Sequence, residues 1–364
     1  MKKSHLRVLA VTGSLLLAAG AAGCGVRGGG SPAPQAGGSG SAAASGKVAF
    51  LMPDLASTRY EQQDSPLFTA KMKELCPTCE VIYQNADSDP AKQQQQADSA
   101  LAQGVKVLVL DAVDTKAAAS IVTNAKSQNV PVVTYDRPIT QTPASYYVSF
   151  DNEGIGKMIG SSLVDDLKAK KADGGILIVN GSPTDDAAQL IKKGIHEGVD
   201  GSGYKTLAEY DTPQWEPQKA QDWVSGQITQ YRSQVSGVVA ANDGTGGGTI
   251  AAFKAAGVKP TPPVTGNDAE VAAIQRIVSG DQYNTISKPI KIVAEAAATV
   301  AYGFLSGNVP QGKTTLFNTP SELFTPTVVT QKNVKEVIFD GGIYKSSQVC
   351  TGEYAAGCSK LGIS

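Results

Sequence analysis

From position 47 onward, short strand-like apolar runs alternate with longer stretches in which apolar residues recur every three or four positions. "KVAFLM" (47–52), "EVIYQN" (80–85), "VKVLVLD" (105–111) and "VPVVTY" (130–135) are of the first kind. The stretches 66–75, from Pro90 onward, and 115–128 are of the second. Runs of Val, Ile and Leu without polar alternation are buried on both faces, as parallel strands covered by helices are. The alternation restarts after "SYYVSFDNEGIG" (145–156). "GGILIVNG" (174–181), "YKTLAEYD" (204–211), "SGVVAAND" (236–243), "PPVTGND" (262–268) and "DQYNTIS" (281–287) then each adjoin a helical stretch. The pattern predicts an α/β chain of two successive doubly wound parallel sheets with right-handed crossovers. A length of 364 residues fits, being too long for one ordinary core.

The first residues break this pattern. Lys2, Lys3 and Arg7 precede an apolar run over 8–19, and small residues lead into Cys24. That is the layout of an export signal. Its "AAGC" ending resembles the lipidation motif of bacterial lipoproteins, although Ala21 stands where such motifs carry Leu; ordinary cleavage nearby is the alternative. Residues 25–46 are a Gly/Ser/Ala/Pro tether with nothing to bury. The expectation is a signal over 1–24 with Cys24 as the lipidated residue. The soluble body would then be held at the outer face of the cell membrane.

Export also frames the other cysteines, because disulfides persist outside the cytoplasm. Cys76, Cys79, Cys350 and Cys358 allow three pairings, of which the local one (76 with 79, 350 with 358) is preferred. It would close a C-terminal tail over 346–364. A redox role for "CPTC" would place the motif at a helix start, but here it ends one. A four-cysteine zinc site would want a second C-x2-C.

A net charge of −1 with 18% charged residues offers nothing to a polyanion, so nucleic acid is not expected as a partner. Polar residues instead gather where strands stop: Asp54, "NADSD" (85–89), Asp111, Asp136 with Arg137, "NGSPTDD" (180–186), "YDTPQWE" (210–216), Asn242 with Asp243, and Asn267 with Asp268. Ligands of open α/β sheets bind outside the carboxyl ends of the strands. A salt-bridged turn explains one such tip, not all of them.

Catalysis finds little support. The only histidines are His5, in the signal, and His196, read as a solvated helix position. No nucleophile elbow, zinc-protease motif or phosphate loop is present, and "NDGTGGGT" (242–249) reads as close helix–strand packing. Neither a metal nor a cofactor is expected. The tips do suit an uncharged polyhydroxyl ring. Asp136, Asp185 and Asp268 can accept from hydroxyls, Arg59, Arg137 and Lys288 can donate, and Trp215 or Tyr60 can cover an apolar face. Three acids against three bases leave no net charge to be matched. Taken alone, Trp215 reads equally as a core residue.

In order along the chain, "TYDRPI", "YYVSFDNEGIG", "GSPTDDAA", "WEPQKA", "VVAANDGTGGG", "GNDAE" and "SKPI" resemble periplasmic sugar-binding proteins of ABC transporters. The likeness covers about 47–340, lies within the ribose/galactose-binding group, and is greatest to its xylose-binding branch. It implies the type I periplasmic binding protein fold: two Rossmann-like lobes, 47–150 plus 288–325 and 151–287 plus 326–345. Three hinge segments would join them near 150–153, 287–288 and 325–327. It implies that Arg59, Asp136 and Arg137 grip the sugar, that Asp185, Asn242 and Asp268 hydrogen-bond it, that Trp215 stacks on it and that Lys288 contributes from the hinge. Tyr60 stands where the pattern has Trp, and Ala187 where it has Asn. The implied ligand is a neutral monosaccharide, D-xylose first, with glucose, ribose or arabinose as alternatives. The implied partner is a membrane permease, or else a membrane receptor in a sensing role. The implied protein is a monomer and not an enzyme.

Overall fold

The structure is a computed structural model and describes residues 45–364, so the signal, Cys24 and nearly all of the tether lie outside the described residues. Five strands come first: β1 (Lys47–Met52), β2 (Glu80–Asn85), β3 (Val107–Leu110), β4 (Val132–Tyr135) and β5 (Tyr146–Phe150). Then come β6 (Gly175–Asn180), β7 (Lys205–Asp211), β8 (Val235–Ala240) and β9 (Asn284–Ser287), and finally β10 (Thr314–Leu316), β11 (Thr319–Phe324) and β12 (Thr327–Thr330). The main helices between them are α1 (Ser65–Leu75), α2 (Pro90–Ala102), α3 (Ala119–Ser127), α4 (Asn152–Lys170), α5 (Asp186–Val199), α6 (Pro217–Tyr231), α7 (Asp243–Ala255), α8 (Val271–Ser279) and α9 (Ile290–Ser306).

One sheet runs β10-β11-β5-β4-β3-β1-β2, parallel except at the β10/β11 hairpin. A second runs β7-β6-β8, all parallel, and β12 pairs antiparallel with β9. The apolar runs divide by parity, because successive strand side chains point to opposite faces. Val48, Phe50 and Met52 of β1 meet Phe68 of α1 and Val293 and Ala297 of α9, whereas Ala49 and Leu51 meet Ala97 of α2 and Val122 of α3. β6 repeats the rule, with Ile176 and Ile178 on one face and Leu177 and Val179 on the other. Burial on both faces is why these strands lack polar alternation.

Two expectations are corrected. The stretch 262–268 is not a regular strand: it makes only a bridge between Val264 and Val238. Pro262 and Pro263 have no N–H to give, and the Thr265 hydroxyl takes the Ala240 N–H that a ladder would use. The segment still connects the second sheet to β9, through Thr265 N–H to Val238 and Tyr283 N–H to Val264. The helix expected over 115–128 begins only at Ala119, after turns capped by the Asp114 carboxylate.

Glycines set the helix packing on the second sheet. A Cβ at Gly156 would lie 1.9 Å from the Ile191 carbonyl oxygen, and one at Gly194 would lie 2.0 Å from that of Glu153. α4 and α5 thus touch backbone to backbone. In "NDGTGGGT", Gly248 is likewise pressed against the Pro217 carbonyl of α6. Cys76 is bonded to Cys79 and Cys350 to Cys358; the latter pair closes a tail in which Val349, Cys358 and Ile363 cover Ile274 and Ile277 of α8. Among the described residues, no helix is long and apolar enough to cross a membrane.

Candidate functional site

The loops after β1, β4, β6, β7, β8 and β9 converge on one cleft. All nine candidate binding residues, Arg59, Tyr60, Asp136, Arg137, Asp185, Trp215, Asn242, Asp268 and Lys288, line it. The strand-tip pattern had not singled out Ser57, Asn152 or Ile191, and it named Asn267 only as a tip; these line the cleft too, as does Ala187. The cavity left between these side chains is only about 20 Å3. The cleft is narrow because its own charged groups reach across it.

Local sequence explains how each group is held. Asp185 and Asn242 are helix N-caps: Asp185 Oδ1 accepts from the Ala187 N–H at 2.8 Å, and Asn242 Oδ1 from that of Thr245 at 2.9 Å. One Asp185 oxygen remains for the cleft. Asp136, Trp215 and Asp268 all have left-handed backbones, with φ of 58°, 58° and 107°. Such backbones cost roughly 1–3 kcal/mol each and persist only where the surroundings enforce them. At Asp136 the enforcement is visible, since its carbonyl accepts from the Tyr147 hydroxyl at 2.9 Å and the Ser149 hydroxyl at 2.8 Å. "TYDRPI" and "YYVSFDN" are thereby parts of one device. Trp215 has its own accommodation: a Cβ at Gly181 would fall 2.1 Å from the indole ring, so only glycine lets the ring lie there.

The electrostatics rest on two buried guanidinium groups. Arg59 gives Nε and Nη2 to Asp64, at 3.1 and 2.9 Å, while Nη1 lies 3.4 Å from both Asp136 and Asp268. The Tyr135 hydroxyl also donates to Asp64. Arg137 reaches Asp54 at 2.6 Å, Asp185 at 3.1 Å, Asp111 at 3.5 Å and the Ala112 carbonyl at 3.0 Å. Lys288 Nζ sits 2.7 Å from Asp268 and 3.7 Å from Asp136. The Trp215 Nε1–H donates to Asp185 at 3.0 Å.

The expected balance of three acids and three bases is therefore incomplete. Asp136, Asp185 and Asp268 do face Arg59, Arg137 and Lys288 in the cleft, but Asp54 and Asp64 stand behind them as further counter-ions, and Asp111 lies beside Arg137 as well. Burial would raise the Asp136 carboxyl, but the charges of Arg59, Lys288 and Arg137 outweigh it and bring it down to about 2. Asp111 goes the other way. It is fully buried, neither oxygen accepts a hydrogen bond, and burial drives it well above the carboxylate range. Asn267 Oδ1, buried in the cleft wall, also lacks a hydrogen bond and is a free acceptor there.

His196 is a partly exposed position of α5, as expected; its ring nitrogens lie 3.3 Å from Asp200 and 3.1 Å from Glu209, away from the cleft. Trp223 stacks on Tyr210, with ring centroids 5.2 Å apart, and packs against the second sheet's core. Among the described residues, no group of three or more His, Cys, Asp or Glu side chains is placed to hold a metal ion.

Beside the cleft, the Glu270 carboxylate accepts from the Thr58 N–H at 2.8 Å. Burial and the neighbouring Asp268 charge push Glu270 up to about 7 from its ordinary 4.5. The folded state therefore keeps a proton that the unfolded chain releases, and stability falls as pH rises between those values. The slope should be about 1.4 kcal/mol per pH unit in that window. Urea denaturation of the wild type and of Glu270→Gln at pH 5, 6, 7 and 8 should show the substitution removing that share of the slope. An unchanged slope would show that Glu270 does not titrate there.

Known proteins place this architecture. The profile of the periplasmic binding protein domain matches residues 48–308. The chain is 32% identical over 311 residues to the D-xylose-binding periplasmic protein of Escherichia coli, covering 83% of this chain and 92% of that one. It is 28% identical over 334 residues to the multiple sugar-binding periplasmic receptor ChvE of Rhizobium radiobacter, covering 85% and 93%. Among solved structures, an ABC transporter solute-binding protein from Clostridium phytofermentans with bound β-D-glucose superposes with a TM-score of 0.76. It is 26% identical, and the match covers 83% of this chain and 99% of that one. The chain belongs to the periplasmic binding protein family and has its type I fold.

Proposed function

We propose that this protein is the extracytoplasmic solute-binding component of an ABC-type importer and that it captures a neutral monosaccharide, D-xylose first, in the cleft. The observation that carries the reading is the cleft face itself. Three carboxylates alternate with three cationic groups there, a tryptophan forms one wall, and the contributing loops come from both sheets. Carboxylates accept from sugar hydroxyls, the guanidinium and ammonium groups donate to them, and the indole covers C–H surface. The relatives named for xylose, for several sugars and with bound glucose support the same ligand class. In this reading the chain binds and hands over its ligand unchanged, and is not an enzyme.

The lobes in this reading are the bodies around the two sheets, hinged where the chain passes between them after Phe150, after Ser287 and between Phe324 and Thr327. Binding then holds the lobes closed over the sugar, since groups from both contact it, and a permease receives the closed monomer. The relative named as a receptor favours a second reading, in which the closed form signals to a membrane partner. A thermal-shift screen of pentoses and hexoses tests the ligand class. At about 100 times Kd a bound sugar should stabilise the protein by about 2.7 kcal/mol, whereas no shift with any sugar would refute it.

The anchor is part of the proposal. Lipid on Cys24 would hold the protein at the membrane through the 25–46 tether. Partition between membrane and medium should shift to the medium in Cys24→Ser; equal solubility of the wild type would remove the anchor.

A further inference from the structure

The start of α5 carries two adjacent acids that face different ways. Asp185 faces the cleft, where it meets Arg137 and Trp215. Asp186 lies outside the cleft lining, and its Oδ2 accepts from the Thr140 hydroxyl at 2.6 Å and the Thr140 N–H at 3.3 Å. Beside it, the Asp186 N–H donates to the Thr115 hydroxyl at 3.3 Å. Thr115 in turn gives its N–H and hydroxyl to the Thr184 carbonyl, at 3.1 and 3.3 Å. Thr115 follows β3 and Thr140 follows β4, both in the first sheet; Thr184 and Asp186 follow β6 in the second. These bonds therefore join the two halves directly, and none of the four residues lines the cleft.

We propose that this cluster of Thr115, Thr140, Thr184 and Asp186 is a latch that holds the closed cleft independently of which sugar occupies it. The inference rests on the proposed sugar-binding function and adds what sets the affinity. The Asp186 bond to Thr140 is charge-assisted, the stronger kind of hydrogen bond. Opening the halves must break it along with the Thr115 bonds. Because the Gly156 and Gly194 contacts fix α5 to α4, α5 cannot follow Thr140 outward on its own. Apparent affinity is the intrinsic affinity multiplied by the fraction of protein able to close. Weakening the latch lowers that fraction by one factor for every ligand. Weakening a cleft residue alters contacts to particular hydroxyls and changes the ratio between sugars.

Thr140→Val and Asp186→Ala test this from the two sides, the first nearly isosteric and outside α5. Each should raise Kd about tenfold for xylose and for glucose alike. The ratio between the two sugars should stay within about twofold, and the double variant should be no weaker than Asp186→Ala alone, because that substitution already removes both bonds to Thr140. Unchanged affinities, a shifted ratio or additive losses would overturn the latch. Small-angle scattering of the sugar-free protein supplies a readout that needs no ligand. Both variants should have a larger radius of gyration than the wild type, and identical radii would count against the latch. If the wild type bound no sugar and the variants still opened, the latch would stand and the sugar-binding reading would fall.

Discussion

Replacing Arg137 with Ala should abolish sugar binding and also lower the stability of the fold by about 3–5 kcal/mol, the usual penalty for stranding buried charges. The reason is the number of acids it serves. Its guanidinium lies 2.6 Å from Asp54 and 3.1 Å from Asp185, both of them buried. Without it, two carboxylates keep their burial and lose their counter-ion. Asp136→Ala should behave differently. Arg59 and Lys288 would still have Asp64 and Asp268 as partners, so the fold should survive while binding weakens by about tenfold or more. Urea denaturation and sugar titration of both variants separate the two effects. Equal stability losses would mean that Asp136, too, is chiefly a structural ion. Full binding by a folded Arg137→Ala would remove that residue from the site.

Trp215→Ala should weaken binding by about 1–3 kcal/mol, the range for losing an aromatic wall that covers apolar C–H surface. It should also abolish most of the change in intrinsic fluorescence on sugar binding. The chain has two tryptophans, and Trp223 lies away from the cleft against Tyr210. Trp215 is the one that a ligand can touch, in a loop whose left-handed backbone and whose place beside Gly181 leave the ring one position. Retention of both the affinity and the fluorescence change in the variant would place the sugar elsewhere.

The candidate cleft was legible because its residues stand at strand tips, where topology brings distant segments together. Asp136 and Arg137 posed a choice between a salt-bridged turn and a polar site. The geometry joins the two, since Arg137 is an ion-pair hub whose partner Asp185 is itself a cleft wall. What the sequence hid is the layer behind. Asp64 sits in "YEQQD" at the entry to α1, with no strand before it, so nothing marks it as the acid that fixes Arg59. Asp54 and Asp111 were visible as tips, but that both lie against Arg137 depends on which tips face one another. Glu270 and Thr58 are 212 positions apart, and only the folded chain pairs them. The strands were legible where burial on both faces left unbroken apolar runs. They were misread at 262–268, where two prolines and a side-chain hydrogen bond replace the regular ladder. The partners of His196 were hidden for a related reason: a helical position shows its own neighbours, not the Glu209 of the adjoining strand.

The most direct test is calorimetric titration of the purified protein with D-xylose, ribose, arabinose, glucose and galactose, with an amino acid as a control. One site per chain is expected, with a dissociation constant below millimolar for at least one neutral sugar, xylose the tightest, and no heat from the amino acid. A hexose binding tighter than xylose would correct the specificity alone. No binding by any sugar, or binding of the amino acid in their place, would contradict the account.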